Sequence, residues 1–166
     1  RNGDRVGQHT VIFNRIGETK ITAICALNIK LTLLSIPIYK YKYTSTSTWE
    51  DDQMVHLIAD QYENGEVSRV SAHRINNNWV IKGQQTTIKT IKKLYPTNHW
   101  NSAVLTATEV LDTLKGRVAA VQIRPGEAEM IMAQGRLVKA IPYNYTGDIE
   151  VKVWYDRDGR WVKMSF

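Results

Sequence analysis

The sequence predicts an all-β, mainly antiparallel domain over residues 1–166, with a strongly curved sheet or incomplete barrel and one short helical insert. Apolar and polar residues alternate with period two along most of the chain, as they do on half-buried strands. Turn-forming pairs such as Asn64-Gly65 and Asp158-Gly159 separate these stretches. The chain lacks the alternating strand and helix units that a parallel sheet requires. About a dozen antiparallel strands must curl to protect their edges.

The strands are predicted in order from this alternation. In the first half, residues 28–47 read as one long strand that bends near Pro37, because proline cannot donate a ladder hydrogen bond. The turn Glu63-Asn64-Gly65-Glu66 is the strongest hairpin signal in the chain, and Asn76-Asn77-Asn78 forms another turn. The remaining strands predicted in this half cover residues 6–13, 19–27, 53–61, 67–74, 79–82 and 85–92.

One segment of the second half departs from the alternation. Residues 102–114 place Val104, Leu105, Leu111 and Leu114 at helical spacing, and Lys115-Gly116 can end a helix. The sequence therefore predicts a helix, or a few short turns, of about ten residues. Strands resume after it, and they are predicted at residues 117–124, 129–133, 137–145, 149–156 and 161–166.

Composition excludes several classes of protein. Apolar residues make up 43% and charged residues 23% of the 166 residues, which are the proportions of a globular domain rather than a disordered or membrane-spanning chain. Lys and Arg exceed Asp and Glu by 22 to 16, but they are spread along the chain, which favours a solvated basic face over a nucleic-acid site. The start at Arg1, without an apolar signal segment, suggests a processed or trimmed chain.

Few residues are arranged for catalysis or metal binding. His9, His56, His73 and His99 are not spaced to share a metal from one element, and the single Cys25 lies in an apolar run where it reads as a buried hydrophobe. Nucleophile and phosphate-loop motifs are absent from the sequence. Glu50-Asp51-Asp52 lacks the ligand spacing of a calcium loop and reads as a solvated turn. We expect no resident metal, no cofactor and no catalytic residue.

The loop at residues 95–101 is the most unusual local cluster. His99, Trp100 and Asn101 could orient a ligand, and with Tyr95 they could move a proton. In the alternative interpretation, Trp100 plugs the end of a barrel while Asn98 or Asn101 caps the helical insert. Both interpretations remain open at the level of sequence.

Aromatic residues supply the second candidate set. Tyr39, Tyr41 and Tyr43 are two residues apart and should share one face of their strand, while Lys40 and Lys42 take the other. Such a ladder is typical of core packing or of the amphipathic wall of a ligand cavity. Together with His99, Trp100, Asn101 and Trp154, the three tyrosines form the predicted ligand-binding set.

These residues also resemble a known family. The chain is similar, over nearly its whole length, to an exported bacterial family, domain of unknown function 6134, and more distantly to periplasmic lipoprotein carriers with a curled sheet. The resemblance implies export and a hydrophobic ligand, but it carries no established activity. The motifs that carry it are Val6-Gly7-Gln8-His9-Thr10-Val11, Trp49-Glu50-Asp51-Asp52-Gln53-Met54-Val55, Asn64-Gly65, His99-Trp100-Asn101, Leu114-Lys115-Gly116-Arg117, Tyr145-Thr146-Gly147-Asp148, Val153-Trp154-Tyr155-Asp156 and Gly159-Arg160-Trp161-Val162.

The leading hypothesis is a non-enzymatic periplasmic or secreted domain that binds an apolar or amphipathic ligand such as a lipid. Two alternatives belong to other classes. The chain could be a structural subunit that forms a homo-oligomer or larger assembly through edge strands. It could also be an enzyme that uses the residue 95–101 loop. Nucleic acid and a transmembrane segment are not expected.

Overall fold

The computed structural model describes residues 6–33, 36–90 and 93–165, and these ranges contain fourteen β-strands and one short 3-10 helix. The described residues are mainly antiparallel β-structure, as the sequence predicts. Their backbone contacts divide the chain into two compact units. The first unit comprises residues 1–93 with 113–117, and the second comprises residues 94–112 with 118–166. The sequence prediction of one domain over residues 1–166 stays a prediction.

The first unit contains a seven-stranded antiparallel meander in which each strand pairs with the next one in the chain. This order is the simplest result of consecutive hairpins, and it follows from the turn signals between the alternating stretches. The strands are β1 (Gly7–Ile16), β2 (Lys20–Leu33), β3 (Ile36–Glu50), β4 (Gln53–Glu63), β5 (Glu66–Ile75), β6 (Asn78–Lys82) and β7 (Thr86–Thr90).

The long strand predicted at residues 28–47 is wrong. The chain reverses between Leu33 and Ile36, which pair with each other, so this stretch is the end of β2 and most of β3. The register shifts between Leu31 and Thr32, opposite Pro37, so the irregularity predicted at the proline is present. The alternation could not reveal the reversal, because apolar residues continue on both sides of it without a strong turn pair.

Two-residue turns with positive φ connect several of the hairpins. Asn64 and Gly65 have φ of 48° and 109°, and Asp51 and Asp52 have φ of 49° and 58°. Such turns match the right-handed twist of the flanking strands, and Asn, Asp and Gly accept the left-handed backbone most readily. Glu50-Asp51-Asp52 is therefore a tight hairpin turn in this structure, and the Glu50 carboxylate lies 3.1 Å from the Lys20 ammonium.

The buried face of the first sheet is lined by small side chains at its centre. Alternate positions of four neighbouring strands are almost inaccessible to solvent there. Larger side chains are buried towards one end of the strands and at β6, namely Trp49, Leu57, Trp79 and Ile81. The small residues of the buried face are Ala23, Cys25, Ser45, Ser47, Ala59 and Ala72.

A close backbone approach holds the segment 113–117 in the first unit. A Cβ atom added to Gly83 would lie 2.7 Å from the Gly116 Cα, and one added to Gly116 would lie 2.6 Å from the Gly83 Cα. Gly116 also has a φ of +66°. Nearby, the Tyr43 hydroxyl donates to Thr113 Oγ1 at 2.8 Å. Glycine is required at both positions because any side chain would collide with main-chain atoms.

The second unit contains a strongly curled sheet in which one strand is left out of the sequential order. The order is β14-β13-β12-β10-β9-β8, and β11 pairs with the start of β12. The strands β8 and β9 run parallel, whereas the pairings of β10 with β12, β12 with β13 and β13 with β14 are antiparallel. The elements are β8 (Tyr95–Pro96), the 3-10 helix (Ser102–Thr106), β9 (Glu109–Asp112), β10 (Arg117–Pro125), β11 (Glu129–Ala133), β12 (Arg136–Gly147), β13 (Val151–Asp156) and β14 (Trp161–Ser165).

The helix predicted at residues 102–114 is confirmed only at its start. A single 3-10 helix covers Ser102–Thr106, and β9 follows at Glu109–Asp112. Thr106, Thr108 and Thr113 weaken an α-helix through their branched side chains. Pairing of β9 with β8 satisfies main-chain groups and buries Val110 and Leu111. Within the described ranges, no helix is both long enough and apolar enough to cross a membrane.

Candidate functional site

A groove opens at one end of the first sheet, where β1, β2 and β3 meet. Its volume is about 450 Å³, within the range of small-molecule sites. Three lysines, Lys30, Lys40 and Lys42, dominate its polar groups. We call this feature the lysine groove. Its other lining residues are Val6, Gly7, Gln8, Asn28, Ile29 and Tyr41.

The strand register places the three ammonium groups on one face of the sheet. Lys30 pairs directly with Lys40, and Asn28 pairs with Lys42. Paired residues in an antiparallel sheet point to the same side, and residues two apart on a strand share a face. The side chains of Asn28, Lys30, Lys40 and Lys42 therefore lie on the same face of the sheet, and all four residues line the groove. Ile29 and Tyr41 alternate with them, so their side chains point to the other face.

The positive charge of the groove is not neutralised by the described part of the protein. No described carboxylate lies within 4 Å of the ammonium of Lys30, Lys40 or Lys42. The Lys40 ammonium instead lies 5.4 Å from the centre of the Tyr62 ring. Like charges placed directly opposite each other destabilise a sheet, so an anion bound here would relieve their repulsion.

An amphipathic row of side chains continues from the groove across the sheet. Lys42 pairs with Tyr62, and Tyr62 pairs with Val67. Val67 is 75% exposed although it is apolar. The row thus passes from an ammonium through a phenol to an aliphatic side chain on one face. This arrangement suits a ligand with an anionic head and an apolar tail.

The three predicted tyrosines share a face, but they differ in environment. The rings of Tyr39 and Tyr41 are stacked with their centres 6.5 Å apart, and the Tyr39 hydroxyl donates to Glu63 Oε1 at 3.0 Å. Burial, followed by the proximity of Tyr39 and Glu63, raises the pKa of Tyr41 to about 12. Tyr43 is buried against Thr113. Tyr41 also lines the groove, and its ring lies on the face of the sheet opposite to Lys40 and Lys42.

The predicted residues His99, Trp100 and Asn101 lie in the second unit, before the 3-10 helix. Asn101 is the N-cap, and its side chain accepts a hydrogen bond from the Ala103 amide at 3.0 Å. This geometry matches the capping interpretation of Asn101. His99 is buried, with a φ of 57°, and the Tyr155 hydroxyl donates to its carbonyl at 2.6 Å.

Aromatic rings enclose the His99 imidazole. The ring of Tyr145 meets it edge-on at 5.4 Å between centres, and the ring of Trp161 lies at 5.9 Å. Burial raises the pKa of both Tyr145 and Tyr155, so these phenols are protonated at neutral pH. The cluster is a packed aromatic core in which the phenols remain neutral.

Trp154 lies on the other side of β13 from Tyr155 and therefore apart from the His99 cluster. Its indole N–H donates to Glu129 Oε1 at 2.6 Å. The ammonium groups of Lys152 and Lys163 lie 4.8 and 4.5 Å from its ring centre. Trp154 is 4% exposed and packs with Ile131 and Ala140. The Trp154 indole is thus packed against side chains of its own unit, and its ligand-binding role stays a prediction.

The lysine groove was not predicted from the sequence. The alternation places Lys40 and Lys42 on the solvated face of their strand. One continuous strand over residues 28–47, however, would keep Lys30 far from both of them. The reversal between Leu33 and Ile36 brings Lys30 opposite Lys40. The available signal was the alternation of lysines on both sides of the reversal. In the described part of the chain, no three His, Cys, Asp or Glu side chains are close enough to hold a metal ion.

Comparison with known proteins places this arrangement among β-barrel-like folds. A crystal structure of a "Beta-barrel-like Protein of Domain of Unknown Function DUF1849" from Brucella abortus matches 95% of this chain and 80% of its own chain, with a TM-score of 0.63 and 15% identity. At this identity the likeness concerns the fold. The chain belongs to the family described as Domain of unknown function (DUF6134), whose model matches residues 1–166. Comparison with curated proteins finds no match.

Proposed function

We propose that this chain is a non-enzymatic, exported binding domain whose lysine groove holds the anionic head of an amphipathic ligand of the fatty-acid or lipid type. The observation that carries the proposal is the cross-strand placement of Lys30, Lys40 and Lys42 without a neutralising carboxylate among the described residues. An anionic head would exchange the repulsion between ammonium groups for charge-assisted hydrogen bonds. The apolar tail would lie along Tyr62 and Val67.

The position of the predicted aromatic residues favours this groove over a wholly apolar cavity. Tyr43 and Trp154 are packed within their own units, and Asn101 caps the 3-10 helix. The lysine groove is open to solvent and has the volume of a small-molecule site. The ligand class therefore narrows from any lipid to an amphiphile with negative charge at its head.

Affinity for three probes tests the proposal. Hexadecanoate tests the anionic amphiphile, hexadecanol replaces the anionic head with a neutral one, and butyrate removes most of the tail. We expect hexadecanoate to bind at least tenfold more tightly than either of the other two, because each lacks one half of the interaction. Equal affinity for hexadecanol and hexadecanoate, measured by calorimetry, would reject the anionic head group.

A matched pair of variants locates the site. Lys30→Gln/Lys40→Gln/Lys42→Gln should weaken hexadecanoate binding at least tenfold, since each charge-assisted contact contributes measurably. Lys82→Gln/Lys89→Gln/Lys93→Gln makes the same change of net charge elsewhere in the first unit and should leave the affinity unchanged. Equal weakening by both variants would mean that net charge, and not the groove, controls binding.

Export is part of the proposal and has its own measurement. We expect the protein to fractionate with the periplasmic or secreted proteins of its source cell. Native mass spectrometry of protein taken from that fraction should detect a bound anionic amphiphile. Recovery of the ligand-free protein from the cytoplasm would contradict both parts.

A further inference from the structure

An exposed apolar face lies on the hairpin formed by β11 and β12. Met132 pairs with Leu137, and Met130 pairs with Lys139, so these side chains share one face. Met130, Met132 and Leu137 are 59%, 65% and 66% exposed. Ile141 continues the same face along β12 and is 38% exposed. We call the surface of Met130, Met132 and Leu137 the Met–Leu face.

The opposite face of this hairpin is anchored in the second unit. Ile131 and Ala140 are buried with Trp154, and Val162 packs against them. The turn between the strands is tight, with Gln134 and Gly135 at φ of 49° and 75°. The hairpin therefore presents the Met–Leu face on a fixed support, and its apolar side chains do not belong to a loose loop.

The charged side chains of the hairpin are distributed so that the Met–Leu face favours a negatively charged partner. Lys139 shares the Met–Leu face and forms no ion pair among the described residues, whereas Arg136 pairs with Ala133 and points to the opposite face. Glu129, the acidic residue of β11, points to the opposite face, where it accepts the indole N–H of Trp154. The exposed apolar surface is thus accompanied by the Lys139 cation, while the acidic residue of β11 lies on the opposite face.

We propose that the Met–Leu face docks on the surface of an anionic lipid bilayer. Apolar side chains that enter the interfacial region and cations that meet anionic head groups are the two components of peripheral membrane binding. Methionine and leucine fill irregular surroundings, which suits acyl chains that have no fixed shape. This membrane contact is independent of the lysine groove, which lies in the first unit.

Sedimentation with vesicles tests the proposal. Vesicles of phosphatidylglycerol and phosphatidylcholine in equal amounts should bind the protein, and raising the salt concentration should weaken binding because head-group attraction is screened. Met130→Ser/Met132→Ser/Leu137→Ser should reduce the partition coefficient about tenfold or more. The matched control, Ile16→Ser/Ile75→Ser/Ile88→Ser, removes three comparably exposed apolar side chains from the first unit and should bind as the unmodified protein does.

An environment-sensitive probe gives a second readout. Met132→Cys can be labelled selectively with a nitrobenzoxadiazole dye because Cys25 is buried. Its fluorescence should shift to the blue when anionic vesicles are added. The same dye at Ile88→Cys, where exposure is 68%, should not respond.

Several outcomes would overturn the docking proposal. These are absence of vesicle binding by the unmodified protein, equal binding by the Met–Leu variant, and a blue shift at residue 88 but not at 132. A concentration-dependent dimer that the Met–Leu variant abolishes, without any vesicle effect, would assign the face to a second copy. The lysine-groove variant separates the two proposals, since loss of hexadecanoate binding with retained vesicle binding would leave the membrane contact intact.

Discussion

The two units use different kinds of interior. The buried centre of the first sheet is lined by small residues such as Ala23, Ser47 and Ala72, and the backbones of Gly83 and Gly116 approach closely. The second unit buries several aromatic side chains, among them Tyr145 and Trp154, together with aliphatic ones, and Tyr155 donates a hydrogen bond to the backbone of His99. The first interior should therefore be sensitive to added atoms, whereas the second should be sensitive to removed atoms and lost hydrogen bonds.

This difference follows the topology of the two sheets. In the meander each strand pairs with the next strand in the chain, so local hairpins set its geometry. Its buried face can therefore consist of small side chains. The second sheet has one non-consecutive pairing, that of β10 with β12, and includes one parallel pair, β8 with β9. Large side chains and specific hydrogen bonds then fix an arrangement that no single turn determines.

Adding a methyl group at the glycine contact is expected to have the largest effect. Gly116→Ala should lower the free energy of unfolding by about 3 kcal/mol or more, because the new Cβ meets backbone and the φ is positive. Gly17→Ala is the matched control: its φ is +68°, but nothing lies within 4 Å of the added atom. It should cost only about 1 kcal/mol. Equal losses in urea unfolding would show that the close approach is unimportant.

Thiol reactivity measures how tightly the centre of the first sheet is closed. Burial, opposed weakly by a hydrogen bond with Ser45, raises the pKa of Cys25 from 9.0 to about 11. At pH 8 the folded protein should hold about 100-fold less thiolate than an ordinary cysteine, and only thiolate reacts. Alkylation should therefore be at least that much slower than in urea. Comparable rates in the folded and unfolded protein would contradict the packing described for this sheet.

Removal of one hydroxyl tests the interior of the second unit. Tyr155→Phe loses the donor to the His99 carbonyl and should lower the free energy of unfolding by about 1–2 kcal/mol. Tyr143→Phe is a suitable control, since Tyr143 is only partly buried and contacts Tyr155 through its ring. If Tyr155→Phe is as stable as the unmodified protein, the hydrogen bond does not hold the His99 loop.

A pH-dependent contribution from the last hairpin should be the smallest effect. Burial alone would raise the pKa of Asp156, but hydrogen bonds from the Arg160 and Asp158 amides and from the Arg160 guanidinium lower it below 3.8. Because the folded pKa is depressed, the stabilisation is present above the ordinary pKa and is lost as pH falls through the folded value. Asp156→Asn should cost about 1 kcal/mol at pH 7.

The control for this prediction is the same measurement at low pH. The difference in unfolding free energy between Asp156→Asn and the unmodified protein should shrink as the pH falls towards 2, since the native carboxyl becomes protonated as the pH passes through its lowered pKa. A constant difference from pH 7 to pH 2 would show that the charge of Asp156 is irrelevant.

Much of the secondary structure was predictable, and the candidate site was not. Period two and the Asn64-Gly65 pair predicted the hairpin of β4 and β5 within two residues at each end. The groove required knowing that Lys30 lies opposite Lys40. The alternation of apolar and polar residues does not indicate the chain reversal that pairs these two lysines. The prediction of a ligand-lining role for Tyr39, Tyr41, Tyr43 and Trp154 stays untested, although their local contacts are now clear.

The sequence by itself determined the class of fold, because alternation and turn chemistry act over a few residues and each stretch carries its own signal. It also determined which face of β3 would carry tyrosines and which would carry lysines. Only the tertiary structure decided which strands pair, and hence which lysines share a groove and which apolar side chains stay exposed on the β11–β12 hairpin. Pairing register depends on contacts between distant residues, and local preference does not encode those contacts uniquely.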